Sequence, residues 1–86
     1  NTGPAARVEL EFDGPVAPYI RARVWHASQQ LQDAPGGRVR LTMDVCHDWA
    51  LRSCILSGGP FARVVAPAPL ARAIKADLAT AGAQYK

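Results

Sequence analysis

The chain has 86 residues, a formal net charge of +3, and a composition that is 49% hydrophobic and 20% charged. This length allows one domain, and this composition excludes a disordered polar chain. The longest uncharged stretch, residues 53–62, is too short to span a membrane, and no signal sequence opens the chain. We therefore expect a cytoplasmic protein without a membrane partner.

Residues 1–6 contain Gly3 and Pro4 without periodicity. We expect them to be a disordered lead-in or an artificial boundary before a single domain over residues 7–86. Within that domain the hydrophobic pattern predicts four strands and three helices. In chain order these are a strand over 7–12, a helix over 16–24, strands over 27–32 and 38–45, a helix over 48–56, a strand over 61–66, and a helix opened by Pro67 and Pro69.

Residues 38–45 carry the clearest of these signals, because eight consecutive residues alternate between polar and apolar side chains. Pro15 and Pro18 suit the first turn of a helix, where a missing N–H costs least. Asp48 can cap the second helix, and turn-forming residues fill the hairpin at 33–37. The last helix has an apolar stripe at helical spacing. The stripe consists of Leu70, Ala73, Ile74, Leu78 and Ala81.

The order β-α-β-β-α-β-α predicts an α+β protein with a ferredoxin-like fold: a four-stranded antiparallel sheet with two helices on one face, plus a C-terminal helix. The first and third strands lie side by side in the centre of that fold. Their outward residues are Arg7, Glu9 and Glu11 on one strand and Arg38, Arg40, Thr42 and Asp44 on the other. Opposite charges thus meet across the two strands, and we expect Arg38 and Arg40 to pair with Glu9 and Glu11.

The sequence does not indicate a metal or disulfide site. Cys46 and Cys54 are eight residues apart without a CxxC motif, and only His26 and His47 could join them as ligands. We interpret the two cysteines as buried thiols in a reducing cytosol. We expect neither a metal nor another cofactor.

His26 and Ser28 suggest a small hydrolase as one hypothesis, because residues two apart on a strand point the same way and can share a hydrogen bond. However, no glycine-flanked elbow surrounds Ser28, and no acidic residue lies nearby in sequence to orient His26. The carboxylates of Glu9 and Glu11 are explained more simply as salt-bridge partners. We therefore expect no catalytic residues and no enzymatic activity.

Nucleic-acid binding through an aromatic sheet face is also disfavoured. Such a sheet needs aromatic platforms on its open face, whereas Phe12 and Phe61 fit inward core positions. Gly58-Gly59-Pro60 follows a helix instead of preceding one, so it is interpreted as a stop signal and not as a phosphate loop. Arg38 and Arg40 could still contact phosphates from the sheet face.

Residues 25–29 place His26, Ser28 and Gln29 directly after a Trp, where the first helix passes into the second strand. One interpretation is that His26 and Ser28 satisfy backbone groups at this junction while Trp25 closes the edge of the core. The other is that the segment contacts a partner domain, since polar groups at a junction can serve both roles. The sequence leaves both interpretations open.

Over residues 8–85 the chain resembles the C-terminal extension (WCX) domain of bacterial WYL-domain transcriptional regulators. The likeness rests on several motifs that occur in order. They are Trp25-His26-Ala27-Ser28-Gln29, Gly37-Arg38-Val39-Arg40-Leu41-Thr42-Met43, Trp49 with Ile55-Leu56-Ser57-x-Gly59, Val64-x-x-Pro67-x-x-Leu70, and Tyr85 near the end.

The resemblance implies a regulatory and dimerisation module that couples effector sensing to DNA binding elsewhere in a longer protein. Such regulators bind DNA through an N-terminal helix-turn-helix domain, which these residues do not contain. The implied partners are a WYL domain of the same or a second protomer in a homodimer, and an anionic effector such as single-stranded nucleic acid or a nucleotide. The expected contact residues are Arg23, His26, Ser28, Gln29, Arg38, Arg40 and Arg63, with Arg21 as a further arginine near an effector. A free-standing small-molecule-binding module with the same fold is the alternative.

Overall fold

Strands and helices follow one another in the computed structural model, which describes residues 5–85. The strands are β1 (Ala6–Phe12), β2 (Gln30–Ala34), β3 (Arg38–Val45) and β4 (Ala62–Ala66). The helices are α1 (Ala17–Arg21), α2 (Trp49–Leu56) and α3 (Ala68–Ala83), and short 3₁₀ turns cover Pro35–Gly37 and Gly59–Phe61. All seven predicted elements are present. The predicted lead-in lies outside the described residues for positions 1–4, and β1 already includes Ala6.

The four strands form one antiparallel sheet in the order β2-β3-β1-β4. The two strands predicted to be central, β1 and β3, are indeed neighbours, with Leu10 opposite Leu41 and Phe12 opposite Val39. Because side chains alternate along a strand, the pairing places these apolar residues on one face and the charged residues on the other. The α+β class and the central strand pair are therefore confirmed.

The core lies between one face of the sheet and the helices. Leu10, Leu41 and Leu70 are completely buried there, and Ile20, Ile55 and other apolar side chains of the helices complete the same cluster. Truncating a buried leucine of this kind to alanine typically costs about 2–5 kcal/mol. The opposite face of the sheet carries the charged residues of β1 and β3, and it positions one part of the candidate site.

The hairpin between β2 and β3 is tighter than predicted, because β2 continues to Ala34 and only Pro35–Gly37 forms the turn. Gly36 and Gly37 have φ angles of +78° and +76°. No neighbouring atom lies near the position of a Cβ at either glycine, so the requirement for glycine there comes from the backbone conformation and not from space.

The first helix is shorter than predicted, since α1 ends at Arg21 instead of residue 24. To extend it, the Trp25 N–H would have to donate to the Arg21 carbonyl, but it donates to the side-chain oxygen of Gln29. The second strand correspondingly begins at Gln30 and not at Ala27. A turn in which the Gln29 N–H donates to the His26 carbonyl over 3.0 Å occupies the intervening residues.

The second helix agrees with its predicted cap, because the Asp48 side chain accepts a hydrogen bond of 2.9 Å from the Leu51 N–H. Phe61 was predicted to face the core, and this prediction is wrong: it lies in the turn before β4 and is 38% exposed. The Phe61 N–H donates to the Gly58 carbonyl as part of this turn. Phe61 therefore does not occupy the strand position at which its side chain would point into the core.

The apolar stripe of α3 is only partly used. Leu70 and Ile74 are buried, whereas Leu78 is 48% exposed. A helix of 16 residues spans about 24 Å, while the five residues of β4 span about 17 Å, so the C-terminal half of α3 extends past the strand on which it packs. Within residues 5–85, no helix is both long enough and apolar enough to cross a membrane.

Candidate partner and effector contact site

The predicted contact residues fall into two groups at opposite ends of β3. Ser28 hydrogen-bonds to Asp44 near the C-terminal end of the strand, whereas Arg38 and Arg40 lie at its beginning. Asp44 lies six positions after Arg38, which corresponds to about 20 Å along a strand. We call the first group, Arg23, Trp25, His26, Ser28 and Gln29, the junction cluster, and the second group, Glu11, Asp13, Arg38, Arg40 and Arg63, the arginine cluster.

Gln29 holds the junction cluster together through its amide side chain. Its Oε1 accepts hydrogen bonds from the N–H groups of Trp25 and His26, the second over 3.3 Å, and its Nε2 donates to the Arg23 carbonyl over 3.3 Å. One side chain therefore satisfies three backbone groups in a segment that has no helix or strand to satisfy them. The tight turn between α1 and β2 depends on a residue with both a donor and an acceptor at this position.

Ser28 and His26 attach this turn to the sheet. The Ser28 hydroxyl oxygen accepts the Asp44 N–H over 2.9 Å and lies 2.7 Å from His26 Nδ1. The Ser28 N–H also donates to His26 Nδ1 over 3.1 Å. Because this N–H can only donate, Nδ1 must be unprotonated, which makes the tautomer with its proton on Nε2 the one that fits the arrangement.

Trp25 packs against the core from the junction, as predicted. It is half-buried, and its indole N–H donates to the Ile20 carbonyl over 3.3 Å. The guanidinium carbon of Arg23 lies 5.5 Å from the centre of the indole, within the range of a cation–π contact. The interpretation of the junction as a set of backbone-satisfying side chains around a Trp at the edge of the core is confirmed.

The geometry of His26 and Ser28 is that of a structural contact. They share a hydrogen bond, which their spacing permits, although they lie in a turn and not on a strand. The Ser28 hydroxyl already accepts a backbone N–H, and the same His26 nitrogen that would act as a base also accepts the Ser28 N–H. Loss of a measured hydrolytic activity on His26→Ala is the minimum requirement of the hydrolase hypothesis, and our expectation that there is no such activity stays a prediction.

Glu11 is the centre of the arginine cluster. It lies opposite Arg40 on β3 and opposite Arg63 on β4, so one carboxylate receives cations from both neighbouring strands. Its oxygens are 3.0 Å from Arg40 Nη2 and 3.3 Å from Arg63 Nη1, and its side chain is 12% exposed. A carboxylate that is shielded in this way interacts more strongly with its partners than a fully solvated one.

Asp13 is the second acid of the arginine cluster and was missed at the sequence level. Its Oδ1 accepts from Arg63 over 2.7 Å and lies 3.4 Å from Arg38 Nε. The prediction that Glu9 would pair with these arginines is wrong, because the register places Glu9 opposite Thr42. Asp13 follows the last residue of β1, so no strand alternation places its side chain and the sequence pattern could not predict its role.

Three arginines and two carboxylates leave the cluster with one positive charge in excess. The arginine side chains are 37–48% exposed, and the Nε of Arg40 is buried without a hydrogen-bond acceptor in the described part of the chain. Because more than a third of each arginine side chain is exposed, these side chains can be reached from the open face of the sheet. Arg21 lies elsewhere, since it pairs with Asp33 on β2.

A third polar contact, which the sequence gave no reason to expect, joins α2 to α3. Arg52 donates to both carboxylate oxygens of Asp77, with Nε 2.9 Å from Oδ2, and lies over the exposed ring of Trp49. The hydrogen bond to Asp77 raises the pKa of the Arg52 guanidinium, with partial desolvation opposing it and the charge of Asp77 adding to it. The two residues are 25 positions apart, so no local motif connects them.

The family model of the WCX domain matches residues 4–82. The chain belongs to the WCX domain family. A search of the curated proteins found no matching relative. In this WCX domain the Trp-His-x-Ser-Gln motif has a direct physical explanation, since each of its named side chains forms part of the turn that joins α1 to β2.

Proposed function

We propose that this WCX domain is the regulatory and dimerisation module of a WYL-type transcriptional regulator, and that its sheet is of the ferredoxin-like type. The observation that carries the proposal is the arginine cluster on the face of the sheet opposite the core. Its residues are not part of the hydrophobic core, and the side chains of its arginines are partly exposed. The domain would couple effector sensing to DNA binding, which belongs to an N-terminal domain outside these residues.

An anionic effector, such as single-stranded nucleic acid or a nucleotide, fits the chemistry of the arginine cluster. Guanidinium groups match the geometry of phosphate oxygens and can bind them with two hydrogen bonds. Arg38, Arg40 and Arg63 already lie close enough to share Glu11, so a phosphate that competes with this carboxylate meets a preformed set of donors. Binding of this kind weakens as salt is added.

The junction cluster supplies the second part of the proposal. Its polar side chains fix the backbone of a turn on the surface of the domain, and a rigid turn loses little entropy when it docks on another domain. We propose that this turn, together with the helices, contacts a WYL domain of the same or the partner protomer. His26 and Arg23 are the exposed members that such a domain would meet.

The test uses the full-length regulator with Arg38→Gln and Arg40→Gln together. We expect altered dimerisation in sedimentation experiments or a weaker response to the effector, because both arginines lie on the proposed contact face. The matched control is Arg72→Gln with Lys75→Gln, which removes two exposed charges from α3. Unchanged dimerisation and unchanged response in the arginine variant would contradict the proposal, as would an upstream reading frame without a WYL domain.

A free-standing small-molecule-binding module is the alternative function. A cavity of about 440 Å³ beside the junction favours it, since pockets of this size are typical of small-molecule sites. A ligand bound between two copies of the domain, in a protein without an attached helix-turn-helix, would support this alternative over the regulatory module.

A further inference from the structure

β4 lies at one edge of the sheet, and its outer side is uncovered. The strand pairs with β1 alone. Within residues 5–85, no turn or side chain hydrogen-bonds to the backbone of Ala62–Ala66 from the other side. A strand edge of this kind is a template to which another strand can add.

The pairing with β1 determines which backbone groups of β4 point outward. Phe61 directly precedes the strand, and its carbonyl accepts the Asp13 N–H over 2.8 Å. The ladder bonds of an antiparallel pair fall on alternate residues, so the next bonds to β1 are those of Arg63. The N–H and carbonyl groups of Ala62 and Val64 therefore point away from β1.

The other edge strand, β2, is protected against strand addition in a way that β4 is not. Asp33 lies opposite the buried Val39, so an exposed carboxylate lies on the core side of the β2 edge. An inward-pointing charge of this kind discourages pairing. The one charged residue of β4 is Arg63. Its guanidinium is turned toward β1, where it lies 2.7 Å from Asp13 and 3.3 Å from Glu11, so its charge is already compensated.

We propose that a second copy of this chain pairs antiparallel with β4 across a two-fold axis at Arg63. In this register Ala62 of each copy exchanges hydrogen bonds with Val64 of the other, so every outward backbone group of the two residues is used. The same register brings Phe61 of each copy opposite Val65 of the other, and both residues are exposed in the single chain. An aromatic residue opposite a β-branched one is a favourable cross-strand pair.

The symmetry of this pattern is the reason to expect a second copy and not another partner. A two-fold contact requires a surface that is complementary to itself. Counted outward from Arg63, one outward-facing backbone position and then one exposed apolar residue follow in each direction along the chain. The inference rests on the proposed function, since it names the surface through which the domain would dimerise.

The experiment measures self-association of the 86-residue chain by sedimentation velocity over a range of concentrations. We expect a monomer–dimer equilibrium in which Val65→Lys raises the dissociation constant about tenfold, because the two-fold axis makes the lost apolar contact count twice. Gln32→Lys is the matched control, since it adds the same charge at an exposed position of the other edge strand, and it should leave the constant unchanged. Circular dichroism verifies that both variants are folded.

Amide hydrogen exchange followed by NMR locates the contact on the chain. We expect the N–H groups of Ala62 and Val64 to exchange more slowly as the protein concentration rises, whereas the amides of β2 keep their rates. A chain that stays monomeric at every concentration, or a dimer that Gln32→Lys weakens as much as Val65→Lys, would overturn the proposal. Either result leaves the proposed function open to its own test, the response of the full-length regulator to Arg38→Gln with Arg40→Gln, so the two failures can be told apart.

Discussion

The junction cluster and the arginine cluster are both polar, but they are held in different ways. The junction cluster is fixed by hydrogen bonds between uncharged side chains and backbone groups, as in the contacts of Gln29 and Ser28. The arginine cluster is fixed by ion pairs between side chains around Glu11. The hydrogen bonds of the junction cluster fix the course of the backbone. The ion pairs of the arginine cluster join side chains only, so they can break without a change in the backbone.

The difference distinguishes polar side chains that hold the backbone in place from charged side chains whose partners can be replaced by other ions. Losing a side chain that satisfies backbone groups leaves those groups without partners, and the cost does not depend on salt. An ion pair on a partly exposed surface is screened by salt, and either partner can be replaced by another ion. This physical difference is why we propose effector contact for the arginine cluster and a rigid, preformed turn for the junction cluster, and the following predictions test that division.

The largest effect is expected for Gln29→Ala. It removes the partners of three backbone groups, at Arg23, Trp25 and His26, and we expect a loss of about 2 kcal/mol in the free energy of unfolding measured with urea. Gln29→Glu should recover part of it, because a carboxylate still accepts the two N–H groups but cannot donate to the Arg23 carbonyl. Gln30→Ala, on the exposed neighbouring residue, is the control, and an equal loss there would contradict the role of Gln29.

The turn that Gln29 supports is also where the sequence prediction of the fold was least accurate. Alternation along residues 7–12 and 38–45 was enough to predict β1 and β3, because one face of each strand is buried. The end of α1 and the start of β2 depend instead on which acceptor the Trp25 N–H finds. Local propensity favours continuing the helix, whereas in the structure the Trp25 N–H donates to the side chain of Gln29, four residues later.

A second, smaller effect is expected for Ser28→Ala. This change leaves the Asp44 N–H without its acceptor of 2.9 Å and releases the turn from the end of β3. We expect a loss of about 1 kcal/mol in the free energy of unfolding, equal in low and high salt, because no net charge is involved. Ser53→Ala on the exposed face of α2 should leave stability unchanged. A loss for Ser28→Ala that shrinks as salt is added would argue that electrostatics, and not the hydrogen bond, links the junction to the sheet.

Glu11→Gln tests the other cluster and should destabilise by about 0.5–1 kcal/mol at low salt. The reason is that Arg38, Arg40 and Arg63 lose a shared counter-charge and repel one another. In 1 M salt, where the screening length is about 3 Å, most of this loss should disappear. Glu9→Gln is a matched control on the same strand face, since Glu9 lies opposite Thr42. Similar salt dependence in both variants would show that net charge, and not the cluster, is responsible.

The sequence predicted the arginine cluster in part. Alternation placed Arg38, Arg40 and Glu11 on one face, and the arrangement β2-β3-β1-β4 makes β1 the neighbour of both β3 and β4. The error at Glu9 arose because alternation gives the face of a residue but not its partner across the strand. A shift of two residues in register retains every face and exchanges every cross-strand pair. The partners of Glu9 and Glu11 therefore depend on the register of β1 against β3, and no hairpin joins these two strands to fix it.

The smallest effect concerns Cys54, which lies beside Trp25 at the inner side of the junction. Burial raises the pKa of this thiol, and the positive charge of Arg23 opposes the rise. A raised pKa means less thiolate at a given pH, so alkylation by iodoacetamide in a Cys46→Ser background should be slower than in the urea-unfolded chain, with its pH profile displaced upward. Arg23→Gln should displace it further, because it removes the opposing charge, whereas Ser28→Ala should accelerate the reaction by loosening the turn. If the pH profile of Cys54 alkylation is the same in the folded and the urea-unfolded chain, Trp25 does not close the core at this edge. The distinction between a rigid junction cluster and an exchangeable arginine cluster would then fail.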